Sequence, residues 1–167
     1  KERKTILFVS TKPPLREMVE NFAKELGFPY IVNRWLGGTF TNFSEIKARV
    51  ETLKELERQR ESGELEKYTK KERMLIERKI KKLNEKFGGL KTLENLPDAV
   101  FIVDLVRDNL AAKEAKRRKI PVIAICDTNA NPELADYFFP ANDDALPAVS
   151  FILSKVKEAI LRGRGQQ

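Results

Sequence analysis

Short, uninterrupted apolar runs alternate with amphipathic stretches along most of this chain. Thr5 to Val9 is a β-rich apolar run and reads as a buried strand. After the loop Ser10-Thr11-Lys12-Pro13, the residues Leu15, Val19, Phe22, Ala23 and Leu26 fall at helical spacing, and Gly27 stands where such a helix ends. Tyr30 to Val32, Ala99 to Val103 and Val122 to Ile125 read as further strands, with Tyr137 to Phe139 as a fifth. Ala111 to Lys119 is helical, and its basic residues (Lys113, Lys116, Arg117, Arg118 and Lys119) crowd the half that the helix dipole favours for cations. Asp143 or Asp144 is expected to cap a last helix carrying Val149, Ile152, Leu153, Val156, Ile160 and Leu161. Continuous apolar strands alternating with amphipathic helices predict an α/β fold with a doubly wound parallel sheet.

The stretch from 44 to 87 differs in kind. More than half of it is charged, with both signs interspersed. Ile76, Ile80, Leu83 and Phe87 step by four, three and four, which is an a/d seam, and Ile46, Val50, Leu53 and Leu56 form a comparable stripe before it. Asn42 with Glu45, and Thr69 with Glu72, read as capping boxes opening two helices, while Ser62-Gly63 breaks the first. The expectation is an antiparallel coiled-coil hairpin over 44–87, inserted into a sheet domain made of 1–43 and 88–167. Two helices sharing one narrow seam contribute little to a globular core, so the hairpin is expected to project.

Composition narrows the chemistry. With 32 Lys+Arg against 25 Asp+Glu the net charge is +7, which favours a polyanionic partner. One cysteine, Cys126, excludes an intramolecular disulfide framework, and the lack of histidine removes the commonest general base and metal ligand. No apolar stretch approaches the roughly 20 residues of a membrane span. The opening Lys1-Glu2-Arg3-Lys4 has no signal-peptide core behind it, and a chain without an initial methionine that runs almost directly into a strand is expected to be a fragment.

Several residues admit two readings. Lys12 follows the first strand, where phosphate loops sit, but the loop has no glycine and continues Pro13-Pro14, as an ordinary turn would. Asp104 and Asp127 end strands at the carboxyl edge, where α/β folds bind ligands. With Thr128, Asn129, Asn131, Asp143 and Asp144 they suit either a Mg²⁺ or sugar-hydroxyl site or a set of turns and caps. Cys126 ends a core strand with no base to activate it. Trp35 is either a base-stacking residue or a buried anchor, as its apolar neighbour and Gly37-Gly38 suggest. The hairpin's charges suit a solvated coiled coil. Yet Arg78, Lys79, Lys81 and Lys82 fall within about a turn and a half. With Lys70, Lys71 and Arg73 they make a cluster suited to phosphate contact, which needs only positive charge on a rigid element.

The run Arg34-Trp35-Leu36-Gly37-Gly38-Thr39-Phe40-Thr41-Asn42 closely resembles the Arg-Trp-Leu-Gly-Gly signature of the second protein of the small ribosomal subunit (the ribosomal protein S-two family), in its bacterial or organellar form. Other matches follow in order. They are Ile6 to Lys12, Lys70-Lys71-Glu72, Gly88-Gly89, Leu96-Pro97-Asp98-Ala99, Ile120-Pro121-Val122, Asp127-Thr128-Asn129 and the Asn142-Asp143-Asp144 turn. The family's N-terminal part, with its histidine-bearing segment, is not matched, so metal or RNA contacts placed there are not carried over. Ala141 stands where glycine is common, Thr39-Phe40 replaces the more usual bacterial pair, and Pro147 stands where the bacterial form often has a basic residue, so no phosphate contact is carried over there.

The resemblance implies a flavodoxin-like sheet with the inserted hairpin and a non-enzymatic role on the solvent face of the small subunit. The implied partners are small-subunit ribosomal RNA and neighbouring ribosomal proteins, including the large messenger-binding one, with no cofactor, metal, membrane or small-molecule substrate. The RNA-binding residues expected are Arg34, Lys70, Lys71, Arg73, Arg78, Lys79, Lys81 and Lys82, with Arg162 and Arg164 behind them. Trp35, Gly37, Gly38, Thr41, Asn42, Asp127, Asn142, Asp143 and Asp144 are expected to be structural. Localisation follows the ribosome, cytoplasmic or organellar. The competing reading is an α/β nucleotide- or phosphate-binding enzyme using Asp104, Asp127 and Asp144.

Overall fold

The computed structural model describes residues 4–165; the charged opening Lys1 to Arg3 lies outside them. Five parallel strands, β1 (Ile6–Val9), β2 (Tyr30–Ile31), β3 (Ala99–Ile102), β4 (Val122–Cys126) and β5 (Tyr137–Pro140), form one sheet in the order β2-β1-β3-β4-β5. That is the flavodoxin-type order, with the winding reversing between β1 and β3. The helices are α1 (Arg16–Leu26), α2 (Phe43–Glu61), α3 (Lys70–Phe87), α4 (Asn109–Arg117) and α5 (Leu146–Arg164).

Side chains on a strand alternate between faces, and here the alternation divides the interior into two clusters. Phe8, Phe101, Val103 and Ile125 meet α1 and α5 through Val19, Phe22, Ala23, Val149 and Leu153. Leu7, Val9, Val100, Ile102, Val122 and Ala124 face the other way, toward Ala111, Ala112 and Ala115 of α4. Since both faces are covered, the central strands are apolar at every position, which is why they read as continuous runs. The edge strand β5 is the exception: Tyr137, Phe138 and Phe139 are all exposed.

Helices α2 and α3 lie between β2 and β3 in the chain and pack on each other through Ile46, Val50, Leu53, Ile80 and Phe87. The same apolar cluster continues into the sheet's α4 side, so the roots of the pair belong to the main core, contrary to the expectation of a seam with little share in it. The chain returns from α3 through Gly88-Gly89 against β2. A Cβ at Gly89 would sit 2.1 Å from the Tyr30 carbonyl oxygen, so only glycine fits there.

The helix ends correct two expectations. Thr69 and Glu72 do form the reciprocal capping box on α3. Asn42 precedes α2 but makes no capping bond, and Glu45 pairs with Arg49 one turn on. The last helix starts at Leu146 behind Ala145, and Asp143 and Asp144 do not cap it. Both carboxylates bind Lys12 instead, and an ammonium ion is a stronger partner for an acid than a neutral backbone N–H. No helix among the described residues is long and apolar enough to cross a membrane.

Candidate nucleic-acid interface

The basic face of α3 follows from its register. Ile76, Ile80, Leu83 and Phe87 turn inward, so Lys70, Lys71, Arg73, Arg78, Lys79, Lys81 and Lys82 are left exposed. None of the seven forms an ion pair among the described residues; Glu72 is held by the cap and Glu77 by Arg60. Arg78, Lys79 and Lys82 gather around a shallow depression with Leu75 and Leu83. Arg34 is likewise exposed. The two C-terminal candidates part company. Arg162 is open to solvent beside Glu158, whereas Arg164 donates to the Leu26 carbonyl and lies over the Phe28 ring at 4.7 Å, which makes it a packing residue.

The corner before α2 is held by a residue that the sequence reading passed over, Glu114 of α4. Its Oε1 accepts from Trp35 Nε1 at 3.2 Å and from the Gly38 N–H at 2.8 Å. Its Oε2 accepts from the Phe40 N–H at 2.9 Å and from the Thr41 N–H and Oγ1, both at 3.3 Å. Burial alone would raise the carboxyl's pKa, but these donors outweigh it and hold Glu114 below its ordinary value. Trp35 is buried against Phe40 with ring centroids 4.9 Å apart, so its face is not free to stack on a base. Gly38 needs its glycine, at φ +94°, whereas a Cβ at Gly37 would meet nothing nearer than 4.0 Å. One signal for Glu114 was available: it is an acid on the same helical stripe as Ala111 and Ala115.

The carboxyl edge at the β1/β3 reversal is filled by an ionic network. Lys12 Nζ lies 2.7 Å from Asp143, 2.6 Å from Asp144 and 3.5 Å from Asp104. Although burial works to lower the lysine's pKa, the Asp143 and Asp144 hydrogen bonds carry it above the ordinary lysine range. Burial pushes Asp143 up, and Asp104 and Asp127 add to this against the pull of Lys12. Beside them, Asp108 accepts from the Thr11 N–H and hydroxyl at 2.9 and 2.7 Å. Asp127, Asp143 and Asp144 bring their oxygens within 4.8 Å of one another, close enough for a cation. Lys12 already supplies positive charge to two of the three, so the chemistry of the donor set does not call for a metal. Asp127 also accepts from Thr128, and Asn142 from the Asp144 N–H, as turn residues do. Cys126 is buried, and burial raises its thiol pKa, which is the reverse of activation.

The family model described as Ribosomal protein S2 matches residues 1–163. The small ribosomal subunit protein uS2 of a Nitratiruptor species is 43% identical over 164 residues, which is 98% of this chain and 61% of that protein. The protein of the same name from Coprothermobacter proteolyticus is 44% identical over the same shares. The chain thus spans about three-fifths of the length of these relatives. With a family match over nearly all of its residues, the chain belongs to the ribosomal protein S2 family, in its bacterial type.

Proposed function

We propose that this chain is a structural constituent of the small ribosomal subunit, working in translation on the ribosome in the bacterial cytoplasm. In this reading it binds small-subunit ribosomal RNA through the exposed face of α3, with Arg34 and Arg162 as further contacts. The observation that carries the reading is the set of seven cations on α3 without an ion pair among the described residues, on a helix where two of the three acids, Glu72 and Glu77, are engaged in the cap and by Arg60 of α2 and only Glu85 stands beside them. Phosphates are recognised by positive charge on a rigid support, without a shaped pocket. Residues 44–87 then act as an inserted coiled-coil hairpin presenting that charge, and 1–43 with 88–167 form the sheet domain that anchors it. Docking of the large messenger-binding ribosomal protein and other small-subunit neighbours is part of the same proposal, supported by family membership. The carboxyl-edge acids serve the fold: Asp104, Asp143 and Asp144 hold Lys12, and no substrate is needed to explain them.

The test is the salt dependence of binding to a small-subunit rRNA transcript. Affinity is expected to fall steeply with salt, by a log–log slope of roughly 0.7–0.9 per phosphate neutralised. Replacing Lys79, Lys81 and Lys82 together with glutamine is expected to lower both affinity and slope while the fold persists. Unchanged affinity and slope in that variant would remove α3 from the interface.

A further inference from the structure

Unpaired cations are unevenly spread over this protein. On α2 and α5 most basic residues hold an acid: Arg49 with Glu45, Lys54 with Glu51, Arg58 with Glu55 and Glu64, Lys155 with Glu158, and Lys157 with Glu25. Helix α4 differs. Lys113, Arg117, Arg118 and Lys119 are exposed, and among the described residues none of them forms an ion pair; Lys116 donates to the Glu133 backbone carbonyl. The cause is local. The only acid on α4, Glu114, is turned inward to the Trp35–Thr41 corner, so it neutralises nothing on the surface. Ala111, Ala112 and Ala115 fill the rest of the inward face, which leaves Lys113, Lys116 and Arg117, about one turn apart, on the outer one.

A second observation lies in the backbone. Lys119 has φ +57° and is the one non-glycine residue with positive φ among those described. Its N–H bonds the Lys116 carbonyl at 3.1 Å and the Ile120 N–H bonds the Ala115 carbonyl at 2.9 Å, the paired bonds that end a helix on a left-handed residue. Glycine takes this conformation without a Cβ penalty, and Gly27 and Gly165 hold the corresponding positions after α1 and α5 at φ 71° and 74°. After α4 the position carries a lysine. Backbone strain of this kind is held in place by the surrounding structure and clusters at functional sites, and here the side chain extends a run of five cations in residues 113–119.

We propose that the C-terminal half of α4 together with Lys119 is a second phosphate-contacting surface for RNA, on a different element from α3. It rests on the RNA-binding reading above and extends it to residues which that reading does not use. A dense unpaired charge without a pocket suits a sugar-phosphate backbone, whose contacts position rather than specify. A lipid surface fits less well, because Ala111, Ala112 and Ala115 of the helix are buried in the core and Leu110 alone is an exposed large apolar residue on it, too little to anchor an interfacial helix.

Three variants test it against a small-subunit rRNA transcript across a salt series. They are Lys119→Gly alone, Lys119→Gly combined with Lys113→Gln, Arg117→Gln and Arg118→Gln, and the α3 triple glutamine variant. Lys119→Gly is expected to melt at a higher temperature than wild type yet bind RNA about two- to fivefold more weakly. The fourfold variant is expected to lose about ten- to a hundredfold in affinity, with a log–log slope shallower by about two to three. Unchanged affinity in a stabilised Lys119→Gly protein overturns the proposal, as does a melting point no higher than wild type or an unchanged slope in the fourfold variant. Stronger capture of polyglutamate or phosphatidylserine vesicles than of RNA by this surface also overturns it. Slope lost in the α3 variant but kept in the α4 variant refutes this proposal alone. The reverse result leaves it standing while the α3 reading fails. Should the fourfold variant not fold, Lys119→Gly, which relieves strain, still decides the question.

Discussion

Removing the Glu114 carboxylate is the sharpest perturbation of the corner that leads into α2. Glu114→Ala deletes both acceptor oxygens and leaves the Phe40 N–H and Trp35 Nε1 without their partner, in residues that are 0% and 7% exposed. Each buried donor stranded in this way costs about 1–3 kcal/mol. Gly38 and Thr41 lie nearer the surface and regain water, so they add little. The lost side-chain methylene contacts contribute roughly 0.8 kcal/mol per buried CH₂. The sum is about 4 kcal/mol, a large share of the 5–15 kcal/mol typical of a domain. Urea unfolding followed by far-UV circular dichroism should show the midpoint falling at unchanged m-value. Emission from Trp35, the only tryptophan, should move to the red as water reaches the indole. Glu114→Gln keeps one acceptor and should fall between the two. A loss below about 1 kcal/mol with unshifted emission would refute the claim that this carboxylate organises the corner.

Other expectations follow from the same contacts. Because the folded-state pKa of Glu114 lies below its unfolded value, its contribution is complete above the unfolded pKa of about 4.3 and is lost as pH falls through the folded value. The stability gap between wild type and Glu114→Gln should therefore be constant at neutral pH and shrink in acid; a gap that widened in acid would contradict this. Gly89→Ala should destabilise strongly, because its Cβ would strike the Tyr30 carbonyl, whereas Gly37→Ala should change stability by less than about 0.5 kcal/mol. Thr69→Ala should cost about 1 kcal/mol by thermal unfolding and Asn42→Ala almost nothing, since only the first residue caps its helix. Lys12→Met, which leaves Asp143 and Asp104 buried without their cation, should cost about 3 kcal/mol.

The strands and helices were legible where their cause is local. Apolar runs such as Val100 to Ile102 announce a sheet buried on both faces, Gly27 and Gly63 mark helix ends by their φ, and Thr69 with Glu72 closes a cap within four residues. What escaped the reading depends on partners far apart in the chain. Asp143 looks like a cap until the fold brings Lys12 to it across 131 residues, and Glu114 looks like one more surface charge until it meets Phe40 across 74. A charge's exposure is set by the tertiary neighbours that compete for it, and periodicity carries no record of those. The share of Ile80 and Phe87 in the main core was hidden for the same reason. On the candidate interface, local reasoning found the α3 cations, because an a/d seam fixes which residues face out. It could not tell Arg164, held by Leu26 and Phe28, from a free arginine.

Co-sedimentation tests the central claim most directly. The tagged chain, expressed in a bacterial host and fractionated with ribosomal particles on a sucrose gradient at low salt, is expected to travel with the small subunit, with the α3 triple glutamine variant shifted toward the free-protein fractions. A wild-type chain that stays at the top of the gradient, or that follows the large subunit, would contradict a role as a small-subunit constituent.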